Sequence, residues 1–430
     1  MLKQTSLQIS EEEWLLEDRF LLLFDNVQFI YELALAQLEL RALKVNFEVT
    51  NGLRKFKVVE DPKDIDVLKR RLAYFKLVGK EYTHYFHIVG YNRTRSVNQY
   101  LTHWIYPYKG KFHPQMIRAL LNIMGMDRGN VVLDPFVGSG TAALEAQLLG
   151  IDFIGVDISP LCVLQSRVKT ESVAALPEIL RWKDEVAAKI GVNLFNPDEK
   201  AFERTLERIP DERVRNFYLM AKLVAVSDRV RRKKDFTKAF QKNLDLMILS
   251  VRDYNDVVQE LDLKLGNVDI RRGDARNLPL ADESIDGIVT SPPYSIALDY
   301  VANDAHALEM LGYDLKKLRE EFTGVRGKGQ RRIDLYNEDM KRSLEEMYRV
   351  LKPGRFAVII IGNAMYQGQE VETVRFITEQ GERIGFQVVQ NMEKIIFGLY
   401  NVMQKENIVV LQKADNLCDR SKIFSPWSIS

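Results

Sequence analysis

The residues with the most specific chemistry form the run Thr290-Ser291-Pro292-Pro293-Tyr294, directly after the apolar stretch Asp286-Gly287-Ile288-Val289. Two consecutive prolines stiffen this loop and remove two backbone donors. The carbonyls of Ser291 and Pro292 can then face a site without competing amides. Such acceptors suit an exocyclic amine on a nucleobase, whose lone pair is delocalised into the ring and nucleophilically weak. Hydrogen bonds from the amine to a carbonyl and to Ser291 favour a pyramidal nitrogen. They also stabilise the positive charge that nitrogen gains as it takes up a methyl group. Tyr294 can stack on a flipped-out base and set its angle. No strong general base is needed, because the proton becomes acidic after transfer. The plain alternative is a proline-rich turn ahead of a helix.

A second run, Leu133-Asp134-Pro135-Phe136-Val137-Gly138-Ser139-Gly140-Thr141, sits at a strand-to-helix turn. Gly138 and Gly140 let the backbone bend sharply and approach a ligand, at the carboxyl end of a strand where open α/β sheets bind ligands. The next strand ends in Gly155-Val156-Asp157, and a carboxylate there can bind both hydroxyls of a ribose. No third glycine completes a dinucleotide fingerprint, and no Gly-Lys-Ser/Thr of a phosphate loop is present. The pattern points to a nucleoside without a pyrophosphate, for which S-adenosyl-L-methionine is the candidate. A further acid, in Gly273-Asp274-Ala275, again follows a strand and can accept an adenine amino group. Ile158 and Ala275, next to the two acids, are counted with them as cofactor contacts.

These loops require a parallel sheet to position them. Val131 to Leu133, Asp152 to Val156, Val268 to Arg272, Asp286 to Thr290 and Phe356 to Ile361 read as strands, with Gln387 to Gln390 and Asn407 to Leu411 closing the sheet. Helices are expected over Thr141 to Leu149, Leu161 to Val168 and Asn337 to Val350, the last stopped by Lys352-Pro353-Gly354. Asp157 and Asp274 lie 117 residues apart, where a βαβ unit takes ~30. The excess is rich in Arg, Lys, Glu and Leu at helical spacing and reads as a helical insertion. Near the start, Arg19 to Phe24 reads as a strand and Glu32 to Leu40 as a helix. Asn51-Gly52 joins a hairpin of Asn46 to Val49 with Arg54 to Val59, and Asp64 to Leu77 reads as a second helix. The expected division is an N-terminal α+β substrate-binding domain over residues 1–100, a catalytic domain over 101–171 and 263–414, the insertion over 172–262, and a tail over 415–430.

Composition limits the alternatives. Hydrophobic residues are 46%, enough for a globular core. No apolar run reaches the ~18 residues of a membrane span, and the acidic start lacks a signal peptide; a cytoplasmic protein is expected. The only cysteines, Cys162 and Cys418, exclude a disulfide framework and a cysteine-based zinc site. None of His84, His87, His103, His113 and His306 sits in a metal-ligand pattern, so no metal is expected. Basic and acidic residues number 61 and 60, so nucleic-acid binding must rest on local clusters. Arg229 to Lys234 in the insertion, with Arg231, Arg232 and Lys233, is one candidate. Arg326-Gly327-Lys328-Gly329-Gln330-Arg331-Arg332 is the other; it reads as a flexible loop in which Arg326, Lys328 and Arg331 meet phosphates. A solvated charged face is the bland reading of each.

Asp134 to Thr141 and Ser291 to Tyr294 resemble the two hallmark motifs of amino-methyltransferases in the N4-cytosine/N6-adenine DNA-methylase superfamily. The resemblance covers about residues 104 to 170 and 268 to 413. It implies a Rossmann-like S-adenosylmethionine-dependent fold with a mostly parallel seven-stranded sheet whose last strand is antiparallel. It implies cofactor contacts at Asp134, Phe136, Gly138, Gly140 and Thr141, and catalytic roles for Ser291, Pro292, Pro293 and Tyr294. Tyr106 to Gln115 is similar to the family segment that closes over the methionine end, which adds Lys111, Phe112 and His113. Serine in first position is most typical of N4-cytosine enzymes. Tyr31 to Glu39, Phe56 to Glu60 and Leu68 to Tyr74 resemble the ferredoxin-like N-terminal domain of archaeal tRNA guanosine amino-methyltransferases. The expectation is therefore N4-cytosine methylation of structured RNA, ribosomal RNA first, with a ribosomal subunit or assembly intermediate as partner. DNA N4-cytosine or N6-adenine methylation, tRNA guanosine N2 methylation, and a non-enzymatic RNA-binding role stay open.

Overall fold

The computed structural model describes residues 19–50, 52–60, 64–92, 96–191, 199–294, 298–397, 403–415 and 427. The acidic start, Asn51 of the hairpin, Cys418 and most of the tail lie outside them.

The N-terminal unit runs β1 (Phe20–Leu23), a helix (Ile30–Ala42), β2 (Phe47–Val49), β3 (Lys55–Val58), a helix (Ile65–Arg71), β4 (Phe75–Val78) and β5 (Glu81–Tyr82). Its antiparallel sheet has the order β2-β3-β1-β4-β5, a split βαβ arrangement with one added edge strand. The hairpin forms in register, Val49 opposite Phe56. The stretch Asp64 to Leu77 is not one helix. It leaves the helix at Leu72 and becomes β4. The buried Glu39 carboxylate draws the chain out by accepting the Ala73 amide at 2.8 Å, which lets Phe75 and Leu77 turn inward.

The seven-stranded sheet contains β6 (Val131–Asp134), β7 (Asp152–Asp157), β8 (Val268–Arg272), β9 (Ile285–Thr290), β10 (Leu351–Ile361), β13 (Phe386–Phe397) and β14 (Met403–Lys413); β11 (Ala364–Tyr366) and β12 (Gln369–Val371) form a separate hairpin. The order is β13-β14-β10-β9-β6-β7-β8, and β14 runs antiparallel to both neighbours. The β6 to β10 strands are parallel to one another. Every residue of β9 is buried, as expected for a strand covered on both faces. Strand order reverses between β6 and β9, which opens a crevice at their carboxyl ends.

The insertion forms helices Leu176–Gly191, Glu199–Glu207, Glu212–Arg232 and Phe236–Glu260. It shares a core with Leu161, Leu164 and Val168 of the helix after β7. Tyr254 donates to Gln147 at 2.8 Å and Trp104 to Ser250 at 2.7 Å, fixing it to the helix that follows β6 and to the turn segment ahead of the Pro114–Ile123 helix. The N-terminal unit is joined to the Pro114–Ile123 helix by buried polar contacts. Asn122 donates to Glu39 at 2.6 Å and accepts from Arg71 at 2.9 Å. Trp427 packs edge-on against Phe356 of β10 and is 2% exposed. Among the described residues no helix is long and apolar enough to cross a membrane.

Candidate functional site

A cleft with about 1010 Å3 of empty space, its open mouth included, lies at the carboxyl ends of β6, β7, β8 and β9. Its floor is built from the turns that the sheet forces together. Asp134 ends β6 and Thr290 ends β9, and the Thr290 hydroxyl donates to Asp134 Oδ1 at 2.6 Å. This bond ties the glycine loop to the proline loop across the switch point. Asp134 Oδ2 is buried without a partner, and burial raises the Asp134 carboxyl to about 7.

The glycine loop is held by Asp157. Its Oδ2 accepts the Gly138 amide at 2.9 Å and its Oδ1 the Ser159 amide at 2.8 Å. Burial raises this carboxyl to about 6, with both amide bonds opposing the rise. Asp157 also lines the cleft. Asp274 lines the cleft too, but Arg276 holds it bidentately with bonds of 2.6 to 3.0 Å. That pairing lowers the Asp274 carboxyl against the opposing burial.

Of the residues expected to meet the cofactor, Phe112, Phe136, Gly138, Asp157, Ile158, Asp274 and Ala275 line the cleft, as do Ser291, Pro293 and Tyr294 of the proline loop. The others stand behind it. Gly140 has φ +73°, and a Cβ there would sit 2.7 Å from Ser166 Oγ; close packing onto the next helix, not approach to a ligand, requires this glycine. Thr141 is buried and exchanges a hydrogen bond with Ser139 at 3.0 Å. Pro292 is buried. Lys111 donates to the His103 carbonyl. Beside it Lys169 donates to the Ser139 carbonyl at 2.7 Å. Burial lowers both amines, Lys111 to about 8. His113 caps the Pro114–Ile123 helix, and burial lowers its ring to about 4.

The basic residues divide. Arg231 is consumed internally, donating to Asp304 at 2.8 Å, to the Asn303 carbonyl at 2.9 Å and to the Pro107 carbonyl at 3.0 Å. Asp304 lines the cleft, so the insertion braces the cleft wall. Arg232 pairs with Asp228 one turn earlier, and Arg326 pairs with Asp339. Lys233, Lys328 and Arg331 are exposed and carry no ion pair among the described residues. The supposed flexible loop is partly helical: the Gln330–Val350 helix begins inside it and includes Arg331 and Arg332.

Residue spacing did not single out Tyr108, Tyr300, Asp304 and Phe322, which also line the cleft. Tyr108 and Tyr300 stack with centroids 6.4 Å apart. Their closeness in sequence to Tyr106-Pro107 and to Tyr294 was a usable signal, since aromatic residues next to a candidate stacking residue can extend the same wall. Glu406 carried no such signal. It lies on β14, 112 residues beyond Tyr294, and accepts the Tyr294 hydroxyl at 2.5 Å.

Comparison with known proteins finds similarity to nucleic-acid methyltransferases. The type II methyltransferase M.MjaII of Methanocaldococcus jannaschii is 32% identical over 37% of this chain and 26% of its own length. The type II methyltransferase M.BsoBI of Geobacillus stearothermophilus is 26% identical over 60% of this chain and 61% of its own. The tRNA (guanine(10)-N2)-dimethyltransferase of Methanothermobacter thermautotrophicus is 39% identical over 12% of this chain and 15% of its own. The chain therefore spans about a quarter to three fifths of the two type II enzymes. A family model described as DNA methylase matches residues 43–166 and 285–423, taking in β6, β7 and the strands from β9 onward while omitting the insertion and β8. The segments it matches carry both the glycine loop and the proline loop, and this chain belongs to the N6/N4 methyltransferase family.

Proposed function

We propose that the protein is an S-adenosyl-L-methionine-dependent methyltransferase acting on the exocyclic N4 amine of cytosine in structured RNA, ribosomal RNA first. The observation that carries the chemistry is the proline loop at the end of β9, bonded through Thr290 to the glycine loop at the end of β6. Bound there, S-adenosylmethionine supplies an electrophilic methyl on a sulfonium. The residues present fit it. The Asp157 carboxylate would take the ribose hydroxyls. Asp274 and Ala275 would hold the adenine end, with Phe136 and Ile158 as apolar faces. The unpartnered Asp134 Oδ2 suits the ammonium of the methionine end. On the other side, Ser291 and the loop carbonyls accept from the target amine, while Tyr294 stacks on the flipped base. Lys233, Lys328 and Arg331 are left as exposed cations for phosphates.

RNA is supported by the split βαβ form of the N-terminal unit and by the similarity to a tRNA methyltransferase. The long alignment with M.BsoBI supports DNA as the second reading. Mass spectrometry of nucleosides from a strain lacking the protein separates them. The expected result is loss of N4-methylated cytidine from ribosomal RNA with DNA nucleosides unchanged. Loss of N4-methyldeoxycytidine or N6-methyldeoxyadenosine with RNA intact would establish the DNA reading instead.

The raised Asp157 carboxyl gives a pH signature. The diol donates two hydrogen bonds and needs the ionised form. The ammonium needs Asp134 ionised as well, so cofactor affinity is expected to be flat well above pH 7, to weaken as pH falls through about 7, and to weaken more steeply below about 6. Asp157→Asn should bind weakly at all pH values and lose the lower inflection while keeping the upper one; an unchanged lower inflection would remove Asp157 from the ribose contact. Stability shifts the opposite way. The native carboxyl holds a proton that the unfolded chain gives up near its ordinary value, so this group's contribution falls as pH rises from about 4 to about 6.

A further inference from the structure

Tyr294 does not hold its ring alone. Its hydroxyl donates to Glu406 Oε1, and Glu406 Oε2 accepts from Lys394 Nζ at 2.7 Å. Glu406 and Lys394 are close cross-strand neighbours on β14 and β13, where Lys394 lies opposite Glu406. Their side chains are only 15% and 8% exposed. Two further elements enclose them. Tyr31, on the first helix of the N-terminal unit, is 6% exposed and lies within the field of Glu406. His113 lies within the field of Lys394 and is kept neutral by burial. Taking an ion pair out of water is costly, and a well-packed apolar pair often serves stability equally well. Through this pair the antiparallel hairpin reaches the proline loop.

We propose that Glu406, clamped by Lys394, is a positioning residue: it tethers the far end of Tyr294 so that the stacked base presents its amine in line with the methyl donor. A phenol ring fixed only at its Cα swings about χ1. A second anchor at the hydroxyl removes that swing. Both Glu406 oxygens are engaged, so the acceptor itself is fixed. Burial, and then the Glu406 charge, push the Tyr294 hydroxyl well above its ordinary range; it stays protonated and acts as donor. The inference rests on Tyr294 stacking the target base.

The test uses the full-length protein, radiolabelled S-adenosylmethionine, and total RNA and genomic DNA from a strain lacking the protein. Tyr294→Phe keeps the ring and leaves the Glu406–Lys394 pair intact, so its fold is preserved. Both Tyr294→Phe and Glu406→Ala are expected to lower kcat by roughly tenfold to a hundredfold, with cofactor affinity unchanged. Glu406→Gln, which retains an acceptor, should recover most of the rate. The double variant Tyr294→Phe/Glu406→Ala should be no slower than the slower single variant, because both cut the same tether. Multiplicative losses, or wild-type kcat in Tyr294→Phe, would overturn the tether. If Tyr294→Ala itself turns over normally, base stacking fails and the tether with it; if only Tyr294→Ala is slow, stacking stands and the tether falls.

Discussion

A Tyr294→Ala enzyme is expected to bind S-adenosylmethionine as tightly as the parent and to turn over roughly a hundredfold more slowly. The two effects separate because the cleft is built from two sides of the switch point. Gly138, Asp157, Asp274 and Ala275 come from the turns after β6, β7 and β8, and none of them bonds to Tyr294. Tyr294 comes from the turn after β9 and reaches toward β14. Removing the ring takes away base stacking of ~1–3 kcal/mol. It also releases the base from a fixed angle, and a misaligned amine loses rate even when bound. Titration calorimetry gives the cofactor affinity and single-turnover methylation gives the rate. Equal losses in both would place Tyr294 in the cofactor wall and undo the assignment of sides.

How far the sequence reveals this arrangement depends on the range of the interaction. The strand ends that carry Asp134, Asp157 and Ser291 are legible because each follows a short, largely apolar run and precedes a turn residue, whereas Asp274 follows the mixed run of the edge strand β8. Parallel strands buried on both faces leave that trace. The helical insertion is legible as a break in the alternation. What is illegible depends on contacts between distant segments. Nothing near Leu72 announces that Glu39, 34 residues earlier, will take the Ala73 amide and end a helix whose apolar spacing continues. Arg231 has the look of a phosphate contact, but its partner Asp304 is 73 residues away. Within the sequence, an arginine that binds RNA and one that braces a cleft wall have the same neighbours. Glu406 is the extreme case, since an acid on an edge hairpin has no local reason to serve the proline loop. Local chemistry thus points to the candidate reacting groups, whereas the residues that hold them emerge only in the folded chain.

The glycine loop lets stability and binding be pulled apart. Gly140→Ala is expected to destabilise the protein by about 2–5 kcal/mol, combining a left-handed residue at ~1–2 kcal/mol with overpacking of ~1–3 kcal/mol. Its Cβ would lie 2.7 Å from Ser166 Oγ and 2.9 Å from both Ser166 Cα and Cβ. Backbone cannot yield as a side-chain tip can, so Ser166→Ala should rescue little. Gly138→Ala makes the contrast. Its φ is +49°, but the nearest atom is the Tyr108 hydroxyl at 3.3 Å, a movable tip at the cleft. A methyl there costs less stability and intrudes on the space assigned to the cofactor. Gly138→Ala is therefore expected to lose cofactor affinity by tenfold or more, ~1.4 kcal/mol, at a smaller cost in denaturation midpoint. Gly140→Ala should lose midpoint first, and affinity only as the loop that Asp157 holds is displaced. If both variants lose affinity and stability in the same proportion, the two glycines act as one turn, and the distinction between a glycine that faces ligand and a glycine that faces helix disappears.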